Sequence, residues 1–251
     1  MPTHVFSSTS TEEAPSLHFV AGEPAILFEN SLLIADLHLG IEAETESKVI
    51  AERAISASIQ RITDLVEKTR AKRLIVIGDA GHMLPAHKAS SEFGVAIQLK
   101  VNQALRQLEK KFDVIFLSGN HDGGIAVKTE KELIIEDVGM FHGHRWPSKE
   151  LMQCKIIIAA HSHQVIIFED NLGHRSRQKV WVKGHPTAKL LERYEYKNKQ
   201  LKAPEFIIMP AFTDFSLGWD IKKGLHGPAF SKEMFKIESA YLLDGTEITI
   251  E

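Results

Sequence analysis

The chain has 251 residues, of which 43% are hydrophobic and 25% are charged, the composition of an ordinary soluble globular protein. A formal net charge of −3 argues against a generally basic nucleic-acid-binding protein, although it still allows a local basic groove. The single cysteine, Cys154, excludes an intrachain disulfide and gives no support to catalysis by cysteine.

No apolar run approaches the roughly 18 residues that a membrane span requires, and the N-terminus lacks the basic and apolar regions of a signal peptide. We therefore expect a cytoplasmic protein without a membrane partner. Residues 1–16 are interpreted as a flexible polar tail. Residues 17–251 are expected to form one domain, because no repeat, low-complexity segment or long linker divides them.

Short apolar runs alternate with amphipathic segments in the first half of the domain. A small hairpin is predicted over 17–28, and helices are predicted over 47–69 and 91–110, where apolar residues recur at helical spacing. Runs typical of strands buried on both faces occupy 31–35, 73–78, 113–117 and 155–160. The order β-α-β-α-β with crossovers of this length predicts a parallel core sheet.

After residue 130 the pattern changes to short runs separated by loops. Strands are predicted over 132–135, 138–141, 156–160, 164–168, 179–182, 205–210 and 239–250. They favour a second, more antiparallel sheet stacked on the first. The charged run 189–202 is predicted to form an exposed helix and turn, and the basic stretch 175–179 a strand with a solvated face. The fold class that follows is α/β, with two stacked, mainly parallel or mixed sheets flanked by helices.

Polar side chains stand just beyond the ends of the predicted strands, where open α/β sheets bind their ligands. They are Asp36, His38, Asp79, His82, Asn120, His121, Asp122, His142, His144, His161 and His163. Aspartate, asparagine and histidine without cysteine suit Mn, Fe, Zn or Ni. A carboxylate between two such cations can bridge them at the separation of about 3.5–4 Å that two-metal hydrolases use.

The order of these motifs resembles the signature of the calcineurin-like metallophosphoesterase superfamily: D-x-H, G-D, G-N-H-[DE], H-G and H-x-H. The five motifs lie here at 36–38, 78–79, 119–122, 142–143 and 161–163. The resemblance implies a four-layer metallophosphoesterase sandwich. A closer similarity, carried by ADLHLG, GD-x-x-H, FHGH and PAFTDFSLG, is to the archaeal and bacterial branch related to the ligase-associated DNA-damage-response phosphoesterase.

The resemblance also implies a role for each matching residue. The implied ligands of one metal ion are Asp36, His38 and His163. Those of a second ion are Asn120, His142 and His161, and Asp79 would bridge the two ions. His121 would act near the leaving group as general acid or transition-state stabiliser, oriented by Asp122. The implied cofactors are two divalent ions, with manganese favoured over iron, zinc and nickel.

Two positions depart from the superfamily pattern. His82 stands where many members have aspartate, and Ala160 stands where glycine is usual, which requires an ordinary backbone conformation there. His82 and His144 are candidate substrate contacts. By residue type alone, His82, His87 and His185 are more simply interpreted as surface loop residues.

The expected function is a dinuclear-metal-dependent phosphoester hydrolase, in the first place a phosphodiesterase acting on nucleotides or nucleic acid through metal-activated water. A phosphomonoesterase or nucleotidase is the alternative within the same class. A catalytically silent scaffold of the same fold is the alternative from a different class. A flavodoxin-like regulator would need a Gly-rich phosphate loop, which ADLHLG is not. The resemblance is also compatible with a homo-oligomer and with DNA-repair protein partners.

Overall fold

The computed structural model describes residues 15–45, 47–195 and 203–250. The predicted tail over 1–16 therefore lies almost entirely outside the described residues. So does the second part of the charged run 189–202, whose first part belongs to the short helix Ala188–Arg193. A single domain over 17–251 stays a prediction.

The first sheet contains six strands in sequence order: β1 (His18–Phe19), β2 (Ile26–Phe28), β3 (Ser31–Ile34), β4 (Arg73–Ile77), β5 (Asp113–Leu117) and β6 (Thr129–Glu130). The pairs β1–β2 and β2–β3 are antiparallel, which confirms the predicted hairpin and adds one strand to it. The pairs β3–β4, β4–β5 and β5–β6 are parallel, which confirms the predicted core. The carboxyl ends of β3, β4 and β5 consequently share one edge of the sheet.

The helices of this half are α1 (Lys48–Thr69), α2 (Ala86–Ala89) and α3 (Glu92–Lys111). Both long helices match their predicted bounds to within one residue, because each begins at a serine cap. Ser47 Oγ accepts from the backbone N–H of Ile50 at 3.4 Å, and Ser91 Oγ accepts from that of Gly94 at 3.0 Å. No described helix combines the length and the apolarity that a membrane crossing needs.

The second sheet contains nine strands: β7 (Glu132–Ile135), β8 (Val138–Phe141), β9 (Ile156–Ala159), β10 (Gln164–Glu169), β11 (Arg175–Pro186), β12 (Glu205–Ile208), β13 (Trp219–Asp220), β14 (Phe235–Leu242) and β15 (Glu247–Ile248). The strand order is β13-β10-β11-β12-β9-β8-β7, with β14 paired to β11 and β15 paired to β14. The long β11 contains the predicted strand 179–182 and the exposed basic stretch 175–179, as expected. The run 239–250 is divided by a turn between β14 and β15.

The second sheet is mixed and more antiparallel than the first, as predicted. The pairs β7–β8, β10–β11, β11–β12, β11–β14 and β14–β15 are antiparallel. β9 lies between β8 and β12 and is parallel to both, and β13 is parallel to β10. The parallel direction of β9 follows from the long crossovers that join it to β8 and β12, because the direction of a strand is decided by its connection and not by its own sequence.

Four layers follow from the packing of the two sheets. The inner faces pack on each other through a shared core that includes Leu33 and Ile75 from the first sheet and Met140 and Ile158 from the second. The outer face of the first sheet packs under α1 and α3. The outer face of the second is covered by α4 (Ala188–Arg193) and short 3₁₀ helices. The predicted two-sheet sandwich flanked by helices is confirmed. Within the described ranges, the 3₁₀ helices are Ile41–Thr45, Leu151–Gln153, Ile221–Lys223 and Pro228–Phe230.

The shared core gives a direct test of this stacking. Ile158→Ala should lower the free energy of unfolding by about 2–5 kcal/mol, because the side chain is fully buried between the sheets and its neighbours cannot close the cavity. The matched change Ile134→Ala, in β7, should cost less than about 1 kcal/mol, because that side chain is 44% exposed. Urea unfolding measures both values. Equal losses would contradict the stacking of the two sheets.

Candidate metal centre

The candidate site lies at the carboxyl ends of five strands, where loops from both sheets meet. In the first sheet, Asp36 follows β3, Asp79 follows β4 and Asn120 follows β5. In the second sheet, His142 follows β8 and His161 follows β9. Because parallel strands end at the same edge, residues far apart in the sequence become neighbours here. The residues predicted as ligands are thus brought together.

The backbone at five predicted ligands adopts the left-handed conformation, which non-glycine residues rarely take. The value of φ is positive at Asp36 (53°), His38 (44°), Asp79 (48°), His161 (73°) and His163 (46°). Such residues cost about 1–3 kcal/mol each and cluster at functional sites, where the surrounding structure holds them in place. Here the first two loops hold each other, since Asp36 N–H donates to Gly78 O at 3.2 Å and His38 N–H to Asp79 O at 2.8 Å.

Two glycines of the motifs are needed because side chains of the site pack directly on them. A Cβ atom at Gly78 would collide with the His142 ring, and one at Gly119 would collide with the Asp79 carboxylate. Gly78 also has a positive φ of 76°. Ala160 has no positive φ, as its side chain requires.

A first cluster consists of Asp36, His38, Asp79 and His163, whose nearest potential ligand atoms all lie within 4.8 Å of one another. The Nε2 atoms of His38 and His163 are 3.0 Å apart. Nε2 of His163 lies 3.2 Å from Asp36 Oδ1, and Nε2 of His38 lies 3.5 Å from Asp79 Oδ2. Two imidazole nitrogens and two carboxylate oxygens therefore face one small volume.

A second cluster consists of Asp79, His142 and His161, again with potential ligand atoms within 4.8 Å of one another. Nε2 of His142 lies 3.1 Å from Asp79 Oδ2 and 3.3 Å from Asn120 Oδ1. Asp79 belongs to both clusters. This is the position in which a bridging carboxylate would lie.

Both central carboxylates are held by one oxygen and left open at the other. Asp36 Oδ2 accepts from the backbone N–H of His161 at 3.2 Å, and Asp79 Oδ1 accepts from that of His121 at 2.8 Å. The remaining oxygens, Asp36 Oδ1 and Asp79 Oδ2, are buried without a hydrogen-bond partner in the described part of the chain. Burying an unpaired carboxylate oxygen is costly unless a cation or donor satisfies it. The residues therefore fit divalent cations.

Three of the histidines are oriented through their second ring nitrogen. Nδ1 of His142 lies 3.1 Å from Ile77 O, and Nδ1 of His163 lies 2.8 Å from Ser216 Oγ. Nδ1 of His38 lies 3.3 Å from a nitrogen of His82. In each case Nε2 is left to face a cluster, the usual arrangement of metal-binding histidines. The role of Ser216 was missed from the sequence, although the motif PAFTDFSLG that contains it was recognised.

Burial and charge keep the acids ionised, lower the pKa of two histidines of the site and raise that of two others, His142 and His163. Burial acts to raise the pKa of Asp36 and Asp79, but their histidine neighbours outweigh it and hold both below the usual aspartate value. Burial lowers the pKa of His38 to about 3 and that of His161 to about 4. Burial also acts to lower the pKa of His142, but the close contact with the Asp79 carboxylate and the charges of both aspartates raise it to about 9. Ionised aspartate and neutral histidine are the forms that bind metals, so a cation that binds here would displace the proton of His142.

His121 lies beside the first cluster. Its ring is edge-on to His38, with centroids 5.1 Å apart, and its buried Nδ1 has no hydrogen-bond partner in the described residues. Asp122, predicted to orient it, binds the backbone instead: Oδ1 accepts from Gly81 N–H at 3.1 Å and Oδ2 from Gly119 N–H at 2.6 Å. Asp122 therefore ties together the loops after β4 and β5, and any effect on His121 passes through the backbone.

The two candidate substrate contacts lie at opposite clusters. His144 is beside the second cluster, 5.2 Å from the His142 ring between centroids, with both ring nitrogens buried and unpartnered among the described residues. The interpretation of His82 as a surface or loop residue is right about the loop but not about the surface, because its ring is largely buried against the rings of His38 and His121. His87 is exposed, and His185 pairs with Glu238 at the surface, as that interpretation expects.

No protein-family model and no curated protein matches the sequence. Among solved structures, nuclease MPE of Pseudomonas putida is similar to this chain, with a TM-score of 0.55 and 21% sequence identity. The similarity covers 92% of this chain and 93% of that chain. It extends over almost the whole of both proteins and shows that they share one fold.

Proposed function

We propose that this protein is a metal-dependent phosphoester hydrolase that cleaves phosphodiesters of nucleotides or nucleic acid. The observation that carries the proposal is the pair of buried carboxylate oxygens, Asp36 Oδ1 and Asp79 Oδ2, that lack a hydrogen-bond partner in the described chain. Histidine nitrogens surround both oxygens, and Asp79 is shared by two clusters. The motif order and the shared fold support placing the chain in the calcineurin-like metallophosphoesterase superfamily. The closer DNA-damage-response branch, DNA-repair partners, a homo-oligomer and a cytoplasmic location stay predictions.

Two cations are proposed, one in each cluster. The first cluster would hold one ion. The second cluster, with Asn120 as a further oxygen donor, would hold the other, and Asp79 would bridge them. Nitrogen and oxygen donors without a thiolate favour manganese, with iron, zinc and nickel as alternatives. Two divalent ions against two aspartates leave a net positive site, which suits an anionic ester.

Cations bound at these residues would polarise the phosphoryl oxygens and lower the pKa of a bound water molecule to near neutrality. The chain itself would supply the proton. His121 lies next to the first cluster with a free ring nitrogen, and its backbone is fixed by the hydrogen bond to Asp79. It would protonate the leaving oxygen, as a histidine can near neutral pH. Asp122 would keep the His121 loop in place.

A cavity beside the second cluster supports an anionic substrate. It has a volume of about 280 Å³, and beside His142 and His144 its lining includes two cationic residues, Lys131 and Arg145, and one acidic residue, Glu132. Two cationic side chains next to the proposed metal site would attract a phosphate group. Nuclease MPE, which has the same fold, is a nuclease by its printed name. A phosphodiester of nucleic acid is therefore the substrate that we favour.

The roles of Asp79 and His121 make separable predictions. Asp79→Asn should lose most of the bound metal at both positions, because it removes the charge shared by the two clusters. His121→Gln should keep the metal and lower turnover by about 10²–10⁴-fold, the usual contribution of a general acid. Metal content by mass spectrometry and rates on a diester check both. The control Asp137→Asn changes an exposed carboxylate paired with Lys155 and should alter neither. Equal metal loss in the first two variants would contradict the role of His121.

The substrate class is tested with metal-stripped protein assayed on bis-p-nitrophenyl phosphate, p-nitrophenyl phosphate and a single-stranded oligonucleotide, with and without manganese. We expect manganese to restore diester cleavage at a higher rate than monoester cleavage, because the site is proposed to act on diesters. Faster monoester cleavage would favour a phosphomonoesterase. No cleavage with manganese, nor with iron, zinc or nickel in its place, would favour a catalytically silent scaffold.

A further inference from the structure

Glu44 and His82 form a hydrogen-bonded chain to the first cluster, and the proposed reaction does not use either of them. Glu44 lies in the 3₁₀ helix Ile41–Thr45, and His82 lies in the loop after β4. Nε2 of His82 is 3.2 Å from Glu44 Oε1. Nδ1 of His82 is 3.3 Å from Nδ1 of His38, which lies on the side of the His38 ring that faces away from the cluster. The three side chains therefore form one line from the surface to the proposed metal.

Both residues are held in position by the backbone around them. The N–H of His82 donates to Leu39 O at 3.0 Å, which joins its loop to the loop that contains His38. The ring of His82 is stacked on that of His121, with 5.3 Å between centroids and 9° between planes. The side-chain amine of Lys88 donates to the backbone oxygen of Glu44 at 3.4 Å. These contacts hold the side chains of Glu44 and His82 in place within the folded loops.

The direction of this chain follows from which atoms can donate. The carboxylate of Glu44 can only accept, so the proton of a neutral His82 lies on Nε2. Nδ1 of His82 is then a bare acceptor, and the facing Nδ1 of His38 must carry the proton. A neutral imidazole has a single proton, so the proton on Nδ1 of His38 is the only one on that ring. His38 Nε2 is left with a free lone pair toward the cluster.

We propose that Glu44 and His82 are positioning residues that fix His38 in the tautomer with Nδ1 protonated, so that Nε2 is always available to a metal ion. The inference rests on the proposed metal centre. A partner that donates or accepts at the second nitrogen fixes the orientation and the basicity of a metal-binding histidine. Here the partner is a histidine whose own tautomer is fixed by a carboxylate. Glu44 would therefore influence a metal site that it does not contact.

A third cation between His38, His82 and His121 is the competing explanation, since these rings also come close enough to hold one. It would require His38 to bind metals through both ring nitrogens. It would also leave Nδ1 of His38 without the proton that the contact with His82 needs. The hydrogen-bonded chain accounts for the same distances without these changes and is the explanation that we favour.

The first test is the affinity of the metal-stripped full chain for Mn²⁺, measured by titration calorimetry. His82→Ala should weaken binding by about 10–100-fold, the usual effect of removing such a partner. Glu44→Ala should weaken it measurably, by about three- to tenfold, and Glu44→Gln, which keeps an acceptor oxygen, should weaken it less. The double variant should match His82→Ala alone, because Glu44 acts only through His82. The control Glu52→Ala removes a surface carboxylate that pairs with Lys48 and should have no effect.

The second test is the tautomer of His38 in the metal-free protein, read from ¹H–¹⁵N NMR of the ring and assigned with His38→Asn. The wild-type ring should be protonated at Nδ1, and it should lose this preference in His82→Ala. Protonation at Nε2 in the wild type would overturn the proposal. This measurement needs no substrate and still decides the question if His82→Ala fails to fold.

The outcomes separate this inference from the proposed function. If the wild type binds no cation, the metal centre itself is wrong. If it binds cations but Glu44→Ala behaves as Glu52→Ala does, Glu44 has no positioning role. If His82→Ala lowers the number of bound ions by one and leaves the affinity of the others unchanged, the third cation is correct and the hydrogen-bonded chain is wrong.

Discussion

Two buried carboxylates impose the main constraint on this structure. Asp36 and Asp79 each give one oxygen to a backbone N–H and leave the other without a partner among the described residues. In the interior such an arrangement is unfavourable unless a positive charge compensates it. The histidines around the aspartates supply that charge in the metal-free protein, which explains the raised pKa of His142. Divalent cations would supply it in the working protein.

The sandwich is built to bring these groups together at a cost. The strands β3, β4, β5, β8 and β9 all end on the same side of the molecule, where their loops begin. Five predicted ligands in these loops adopt a strained left-handed backbone. Close packing of the His142 ring on Gly78 and of the Asp79 carboxylate on Gly119 leaves room only for glycine at these two positions. The buried core between the sheets and the helices outside them provide the stability that offsets this strain. This edge positions His121 and the cavity lined by Lys131 and Arg145 relative to the clusters.

The sequence allowed much of this to be predicted, for identifiable reasons. α1 and α3 have a regular apolar period and serine caps, and the strands of the parallel core are short, apolar and bounded by helices. The ligand positions were predictable because they follow those strands directly. The directions of β9 and β12 were not, since they depend on long crossovers. The roles of Glu44 and Ser216 were not predicted. Glu44 contacts His82, and Ser216 contacts His163, only because the fold brings them together, and neither contact has a local sequence motif.

The proposed sharing of Asp79 by two cations can be tested by anomalous diffraction from crystals of the protein soaked in manganese. We expect two peaks about 3.5–4 Å apart, one on each side of Asp79, the first near His38 and His163 and the second near His142 and His161. A single peak away from Asp79, or none at a manganese concentration that restores activity, would contradict it.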